Sequence, residues 1–498
     1  MNLRLVHLVP IIALALGAVA DAKSEPFDFE TLRHDAKILS DAPYSPPPSV
    51  PEWLSKLSYD QHRLIQFNAA RSLWRREGLP FQVQFFHPGY IFDKTVQVFE
   101  LQGRRAAPVP FDRGFFNYDT LKVGPLPSTM GFAGLRFLYP LNHPQDELGA
   151  FLGASYFRFL CQRAFYGLSA RGIAINTGSP VPEEFPMFTR FWLERPTRNA
   201  SSLTVYALLN GESVTGAYRF VIHPGADTVI DVTTVIYFRH NVDVAGFAPL
   251  TSMFWRGENS NRATDDFRPE VHDSDGLQLQ TGAGEWLWRP LTNPRAPRVA
   301  VFSDENPRGF GLMQRDRDFE HYQDLEAHYQ LRPTAWVEPV GNWGRGAVRL
   351  LELPTSNEFN DNVVAFWVPE KLPPPGEPIE LQYRLHWCLE QIRPPGGYVI
   401  ATRHGRSAYE PDLQQFVVDF DGSYLHNQPA DRSIEPVLTV GDGAKLVSSV
   451  LQKNEYNGSW RVSFKIKPDG QGRPVELRCF LRKPPHVLTE TWSYLWQP

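Results

Sequence analysis

Between residues 202 and 240 the chain reads as a meander, and a meander commits a chain to antiparallel sheet. Three apolar runs rich in β-branched residues, Leu203–Leu209, Ala217–Ile222 and Thr228–Arg239, are broken by Asn210-Gly211 and Pro224-Gly225. Asn and Gly tolerate the positive φ of tight turns, and Pro presets a turn angle. More short strands follow to about Trp387, and Phe81-Gln82-Val83-Gln84-Phe85 alternates with period two upstream. Helical spacing is confined to three places. A short helix is expected over Phe29–Leu39. A second covers Ser58–Arg76, with Leu64, Phe67, Ala70 and Trp74 in step and Ser58 as its cap. A third covers Asp146–Leu160, with Leu148, Phe151, Leu152, Tyr156 and Phe159 apolar. Many strands and few helices predict an all-β fold built on a large antiparallel sandwich. Aromatics at 13 %, with 13 Trp, and 44 Pro fit that class.

A chain of 498 residues has room for two or three domains. Composition shifts at Gln391–Gly397, where Pro394-Pro395-Gly396-Gly397 reads as a linker. Residues 23–390 then form the large sandwich and 398–498 a second, smaller one. Its expected strands are Tyr398–Thr402, Gln415–Phe420, Ala444–Leu451, Trp460–Ile466 and Val475–Leu481. Their size and spacing suit an immunoglobulin-like sandwich, in architecture only, because the Cys…Trp…Cys core of antibody domains is absent.

Residues 1–22 read as a secretory leader. Arg4 supplies the charge, Leu5–Val19 the apolar stretch, and Ala20-Asp21-Ala22 the cleavage site. The apolar stretch is too short to span a membrane, so no span is expected after cleavage. Three Cys (Cys161, Cys388, Cys479) in apolar surroundings read as buried thiols, not a disulfide framework. Export with so few Cys points to a bacterial periplasm. The net charge of −5, without a basic tract, argues against nucleic acid as a partner.

Several chemistries are set aside. There is no G-x-S-x-G, P-loop, dinucleotide fingerprint or H-E-x-x-H, so no cofactor is expected. His321 and His328 stand seven apart with nothing to complete a zinc set. His272-Asp273-Ser274-Asp275-Gly276 has calcium-like spacing but lacks the distal Glu; a tight turn with Gly276 at positive φ is the alternative, and no metal is expected. Trp286 and Trp288 share one face of Glu285-Trp286-Leu287-Trp288-Arg289, where they either stack sugar rings or fill a core. Arg315-Asp316-Arg317-Asp318 is either a salt-bridged loop or a set of forks for sugar hydroxyls. Asn360-Asp361-Asn362 opens onto the apolar run Val363-Val364-Ala365-Phe366-Trp367. It is either turn chemistry or a carboxyl held against a dry wall, where its pKa would rise. Scattered carboxylates, many Trp and Tyr, and an exported β framework together point to a carbohydrate-binding or carbohydrate-cleaving protein.

Longer strings carry a resemblance. Ala150–Arg158 (AFLGASYFR), Tyr166–Ile175 (YGLSARGIAI), Ala248–Phe254 (APLTSMF) and Arg268–Leu277 (RPEVHDSDGL) belong to it. Gly284–Leu291 (GEWLWRPL), Asn306–Gln314 (NPRGFGLMQ), Arg332-Pro333, Asn360–Trp367 and Thr489–Tyr494 (TETWSY) continue it. Over essentially the whole mature chain the sequence resembles the periplasmic glucans biosynthesis proteins G and D of Gram-negative bacteria. The short leader without a twin Arg is closer to the G type. The resemblance implies a galactose-mutarotase-like β-sandwich followed by an immunoglobulin-like one. It implies β-1,2-glucan as ligand, the periplasm as location, and the inner-membrane glucan synthase as a candidate partner. Some members of the family are anomer-inverting β-1,2-glucanases. By position Asp361 matches the family's general acid and Asp273 its general base, with Asp275 the alternative base; the base is thought to act through a substrate hydroxyl. Trp286, Trp288, Arg315 and Asp275 are the expected substrate contacts. Two other readings stand beside hydrolysis: a non-catalytic glucan-binding or branching-assisting factor of the synthase assembly, and a sugar mutarotase. Asp361 and Asp273 lie 88 residues apart, so only the sheet can bring them together.

Overall fold

The computed structural model describes residues 25–260, 265–390, 392–430 and 433–498. The leader expected at 1–22 and Gln391, at the start of the expected linker, lie outside the described residues. Two large sheets face each other. The meander forms the middle of a sixteen-stranded sheet, in which Met187–Glu194, Leu203–Asn210, Val214–His223, Thr228–Phe238 and Pro378–Cys388 are antiparallel neighbours. The second sheet has ten strands. Across it lie, in order, Arg298–Glu305, Arg345–Glu352, Val363–Pro369, Ala245–Ser252, Ser169–Arg171, Tyr156–Phe159, Glu147–Leu152, Gly134–Leu138 and Gln82–Phe86. Between the sheets the core is aromatic. Phe151 lies 5.2 Å from both Phe191 and Phe220, and Phe157 lies 5.4 Å from Phe220. Offset and edge-on aromatic pairs of this kind hold sheet to sheet.

The helix expected over Asp146–Leu160 is absent. Glu147–Leu152 and Tyr156–Phe159 are two strands of a hairpin instead, turning at Gly153 (φ 78°) and Ala154 (φ 43°). The apolar spacing that mimicked a helix is shared between two faces: Leu148, Phe151 and Phe159 enter the core, across a register shift and a turn, while Leu152 and Tyr156 line a cavity on the other face. Phe151, Phe157 and Phe159 point into the core, so Ala150, Tyr156 and Arg158 point to the opposite face. Of the helix expected over Ser58–Arg76 only Tyr59–Arg63 forms, with Ser58 and Gln61 in a capping box. It gives way to the strand Gln66–Phe67 and a single 3-10 turn, Ala69–Arg71. The helix expected at Phe29–Leu39 is present as Phe29–Asp41. Asp28 caps it, and Leu32 and Ala36 are buried against Leu208, Ala217 and Val235.

In the C-terminal part, Tyr398–Arg406, Gln414–Asp421, Trp460–Pro468 and Ala444–Lys453 form a four-stranded sheet. Its opposite layer is Glu435–Val440, Val475–Lys483 and Thr491–Trp496, closing over Phe416, Val418, Trp460, Phe464 and Trp492. Thr491–Trp496 also pairs in parallel with Trp286–Pro290, so that layer continues the sixteen-stranded sheet. All three Cys are free and buried.

Gly276 does not take positive φ. It begins the strand Gly276–Gln280, and a Cβ there would lie 2.1 Å from the Trp288 ring. Glycine is needed for close approach, not for a turn. Gly276→Ala is therefore expected to lower stability by ~1–3 kcal/mol through overpacking. The midpoint of urea unfolding checks this.

Candidate active site

Three residues, Ser252, Met253 and Phe254, bring the two carboxylates together. The Asn362 N–H donates to the Ser252 carbonyl at 3.0 Å, and the Asp273 N–H donates to the Met253 carbonyl at 2.8 Å. Ser252 Oγ donates to Ser274 Oγ at 2.9 Å. The Asn362 side chain accepts from the Phe254 N–H at 2.8 Å and donates to the Phe254 and Leu353 carbonyls at 3.0 and 2.8 Å. Asn362 is thus a buried clamp, and Asp361 is the residue just outside it, two positions before Val363–Pro369 begins. Asp273 follows the short strand Val271–His272, which pairs with Phe254–Arg256.

Asp361 opens into a cavity of about 520 Å³. Phe86 and Phe92 form apolar wall; Glu147, Tyr156, Arg158 and Tyr166 supply polar groups. Tyr166 Oη donates to Glu147 at 2.8 Å, and Arg158 Nε donates to Ser169 Oγ at 2.9 Å. Behind Tyr156, Arg171 stacks on its ring at 4.7 Å and bonds Thr251 and Glu183 at 3.0 and 2.6 Å. These groups occupy the face of the ten-stranded sheet turned away from the aromatic core. The cavity's volume suits a small organic ligand. Its mixture of aromatic faces, a guanidinium and carboxyls suits a sugar, which presents C–H faces and hydroxyls.

The side chain of Asp361 is open to the cavity although protein surrounds it on most sides. Burial raises its pKa first, and the charge of Asp273 raises it further; Arg158, Arg171 and Arg332 oppose both. Asp273 is 4 % exposed and forms an ion pair with Arg332. Burial pushes its pKa up, while Arg332, Arg158 and His272 favour the carboxylate. Two neighbouring carboxyls resist double ionisation. Arg332 touches Asp273, and no hydrogen bond from the described residues reaches Asp361. Of the two, Asp361 faces the cavity, and the charge of Asp273 favours its protonated form.

The other expected contacts lie elsewhere. Trp288 is 4 % exposed, with the Arg315 guanidinium 3.6 Å from its ring centroid, and Trp286 stacks on Trp336 at 5.8 Å. Arg315 bonds Glu490 at 2.6 and 2.9 Å, Gln278 at 2.6 Å and the Val399 carbonyl at 3.0 Å. Arg315 holds the C-terminal strands to the large sheet, and the Trp288 ring, buried under it, offers no face to a sugar; Trp286 is partly buried. Asp275 accepts from the N–H groups of Arg315 and Asp316, both at 2.8 Å, and burial raises its pKa to about 6. With Trp288 and Arg315 it lines a small cavity of about 40 Å³ that shares no lining residue with that of Asp361.

One set among the described residues has metal-ligating chemistry. Glu270, Asp316 and His321 offer ligand atoms within 4.8 Å of one another. Sequence spacing paired His321 with His328 and did not show this set. In the fold His321 bonds Asp316 at 2.5 Å and Glu270 bonds His272 at 3.0 Å, so the cluster neutralises itself in part. His328 lies beside Phe165 instead, ring centroids 4.5 Å apart. Sequence reasoning also passed over Arg332, Arg158, Tyr156, Glu147 and Tyr166. The usable signal was Tyr156 and Arg158 alternating with Phe157 and Phe159, a polar face against an apolar one.

The family described as "Periplasmic glucan biosynthesis protein, MdoG" matches residues 27–496. The chain belongs to this family. Glucans biosynthesis protein G of Ralstonia nicotianae is 48 % identical, covering 98 % of this chain and 99 % of its own length. The proteins of that name from Rhodopseudomonas palustris (strain BisA53) and Sodalis glossinidius are 44 and 43 % identical. They cover 98 and 94 % of this chain, and 97 and 93 % of their own lengths. Family members are periplasmic by description. Among the described residues no helix is long and apolar enough to cross a membrane.

Proposed function

We propose that this protein acts in the periplasm on β-1,2-linked glucan and cleaves its backbone by an anomer-inverting hydrolysis. Asp361 is the general acid and Asp273 the general base. The observation that carries the reading is geometric: a cavity-facing carboxyl stands near a buried carboxyl ion-paired to an arginine, and burial and that neighbour's charge both raise the first one's pKa. An inverting glycosidase needs this division of labour. Asp361 gives its proton to the glycosidic oxygen as the C–O bond breaks. A water attacks the anomeric carbon from the opposite face and loses a proton towards Asp273. Because Asp273 is almost wholly buried, a relay through a substrate hydroxyl suits it better than direct contact with that water. Arg158, Tyr156 and the Glu147–Tyr166 pair line the cavity where sugar hydroxyls would be fixed.

The relatives are named for glucan biosynthesis, which fits trimming or release of a growing glucan and also a glucan-binding factor working beside the synthase. Incubation of purified protein with linear β-1,2-glucan separates the two. New reducing ends and short oligosaccharides are expected. Saturable binding without new reducing ends would replace the hydrolase by the binding factor.

A further inference from the structure

A chain of contacts joins the base to the turn that carries the acid, and it passes through Tyr329. Arg332, paired with Asp273, lies over the Tyr329 ring, 4.2 Å from its centroid. The Tyr329 hydroxyl donates to Glu358 at 2.9 Å. Glu358 stands three residues before Asp361 in the same turn and is ion-paired to Arg268 at 2.6 Å. Arg268 is anchored in turn by Asp266 and Asp324 at 2.8 and 3.0 Å. Tyr329, the middle of the bridge, is 1 % exposed. The local sequence builds it. His328 takes positive φ (47°) before the 3-10 turn Tyr329–Leu331, and Arg332 ends that turn with Nε donating to the Ala327 carbonyl at 3.3 Å. Gly167 leaves the room: a Cβ there would lie 2.9 Å from Arg332 Cβ.

We propose that Arg332 and Tyr329 are positioning residues that divide the acid and base roles. Arg332 holds Asp273 as the charged base, and Tyr329, through Glu358, holds the Asp361 turn in register with it. This rests on the hydrolytic reading of the same cavity. The groups that face Asp273 are Arg332, Arg158 and His272, which favour its carboxylate, and Asp361 and Tyr329, which oppose it. Only Arg332 forms an ion pair with it among the described residues.

The test compares wild type, Arg332→Met, Arg332→Lys and Tyr329→Phe. On β-1,2-glucan, Arg332→Met is expected to lose ~100-fold or more in kcat, as when a general base is disabled. The acid limb of its pH profile moves up, because Asp273 takes a proton more readily. The alkaline limb moves up less, since Arg332 also favours the Asp361 carboxylate but from further away. Arg332→Lys recovers part of the rate and most of the limb position. Tyr329→Phe keeps the ring under Arg332 and loses only the bond to Glu358; it lowers kcat ~10-fold with the acid limb unmoved. A rate loss in Arg332→Met without a moved acid limb overturns the proposal. A second readout needs no activity: the midpoint of thermal unfolding against pH. Without Arg332 the folded pKa of Asp273 rises further above its unfolded value, so the folded state binds a proton more tightly and stability is lost as pH rises between the two. Arg332→Met is then more destabilised at pH 7 than at pH 5, and Asp273→Asn in the same background removes that difference. Equal destabilisation at both pH values overturns the proposal even for a protein that cleaves nothing, whereas a wild type that cleaves nothing overturns only the hydrolytic reading.

Discussion

Asp361→Asn is expected to lose ~10³-fold or more of glucan cleavage while folding as well as the wild type. The amide cannot protonate the glycosidic oxygen, and departure of an unprotonated sugar oxygen is the slow event such an acid relieves. Stability should hold, because the Asp361 side chain opens into the cavity and receives no hydrogen bond from the described residues. The pH dependence sharpens this. The pKa of Asp361 in the fold is raised above 3.8, so the folded state keeps its proton longer than the unfolded chain does. Stability from this group is present at low pH and is lost as pH climbs from the unfolded value through the folded one. Asn carries no such penalty, and the variant should be no less stable than wild type at pH 7. Reducing-end release and thermal unfolding at pH 5 and pH 7 measure both. A variant that cleaves at the wild-type rate removes Asp361 from the mechanism.

The second large effect belongs to Asn362. Its amide satisfies one buried N–H and two buried carbonyls of Phe254 and Leu353 at once. Asn362→Ala leaves those groups without partners and without water, at a cost of about 2–4 kcal/mol. The same change frees the turn that carries Asp361. A misplacement near 1 Å in a catalytic group is enough to cost ~100-fold in kcat. Asn362→Asp keeps the acceptor for the Phe254 N–H but sets a carboxylate oxygen against two carbonyls in a buried site, so at neutral pH it should be no more stable than Ala. Urea unfolding midpoints test the order. Wild-type stability in Asn362→Ala would mean that the clamp does not hold the turn.

The meander was readable because its runs and its turn residues agree: Leu203–Asn210 and Val214–His223 are separated by three residues that begin with Gly211. The hairpin at 147–159 was not, because Leu148, Phe151, Leu152, Tyr156 and Phe159 satisfy helical spacing, whereas in the hairpin they divide between two faces: Leu148, Phe151 and Phe159 in the core, Leu152 and Tyr156 on the cavity. The same error hid the cavity, since only a strand puts Tyr156 and Arg158 on the face opposite Phe157 and Phe159. Asp361 and Asp273 were legible as candidates through family strings, not through spacing. Their meeting depends on backbone bonds to residues 252–254, which no side-chain pattern announces. Trp286 and Trp288 were read as equally fit for a sugar or a core; Arg315, in the loop after Gly309–Met313, and Trp336, in Thr334–Val340, pack on them from distant parts of the chain. Arg332, one residue of a short matching string, gained a role only when the fold set it on Asp273.

Time-resolved proton NMR of the first products released from linear β-1,2-glucan tests the central claim most directly. Acid and base acting on opposite faces of the sugar ring invert the anomeric centre, so the new reducing end should appear first as the α-anomer and reach the β-anomer only by mutarotation. A β-anomer released first, or no new reducing end at all, would contradict the account.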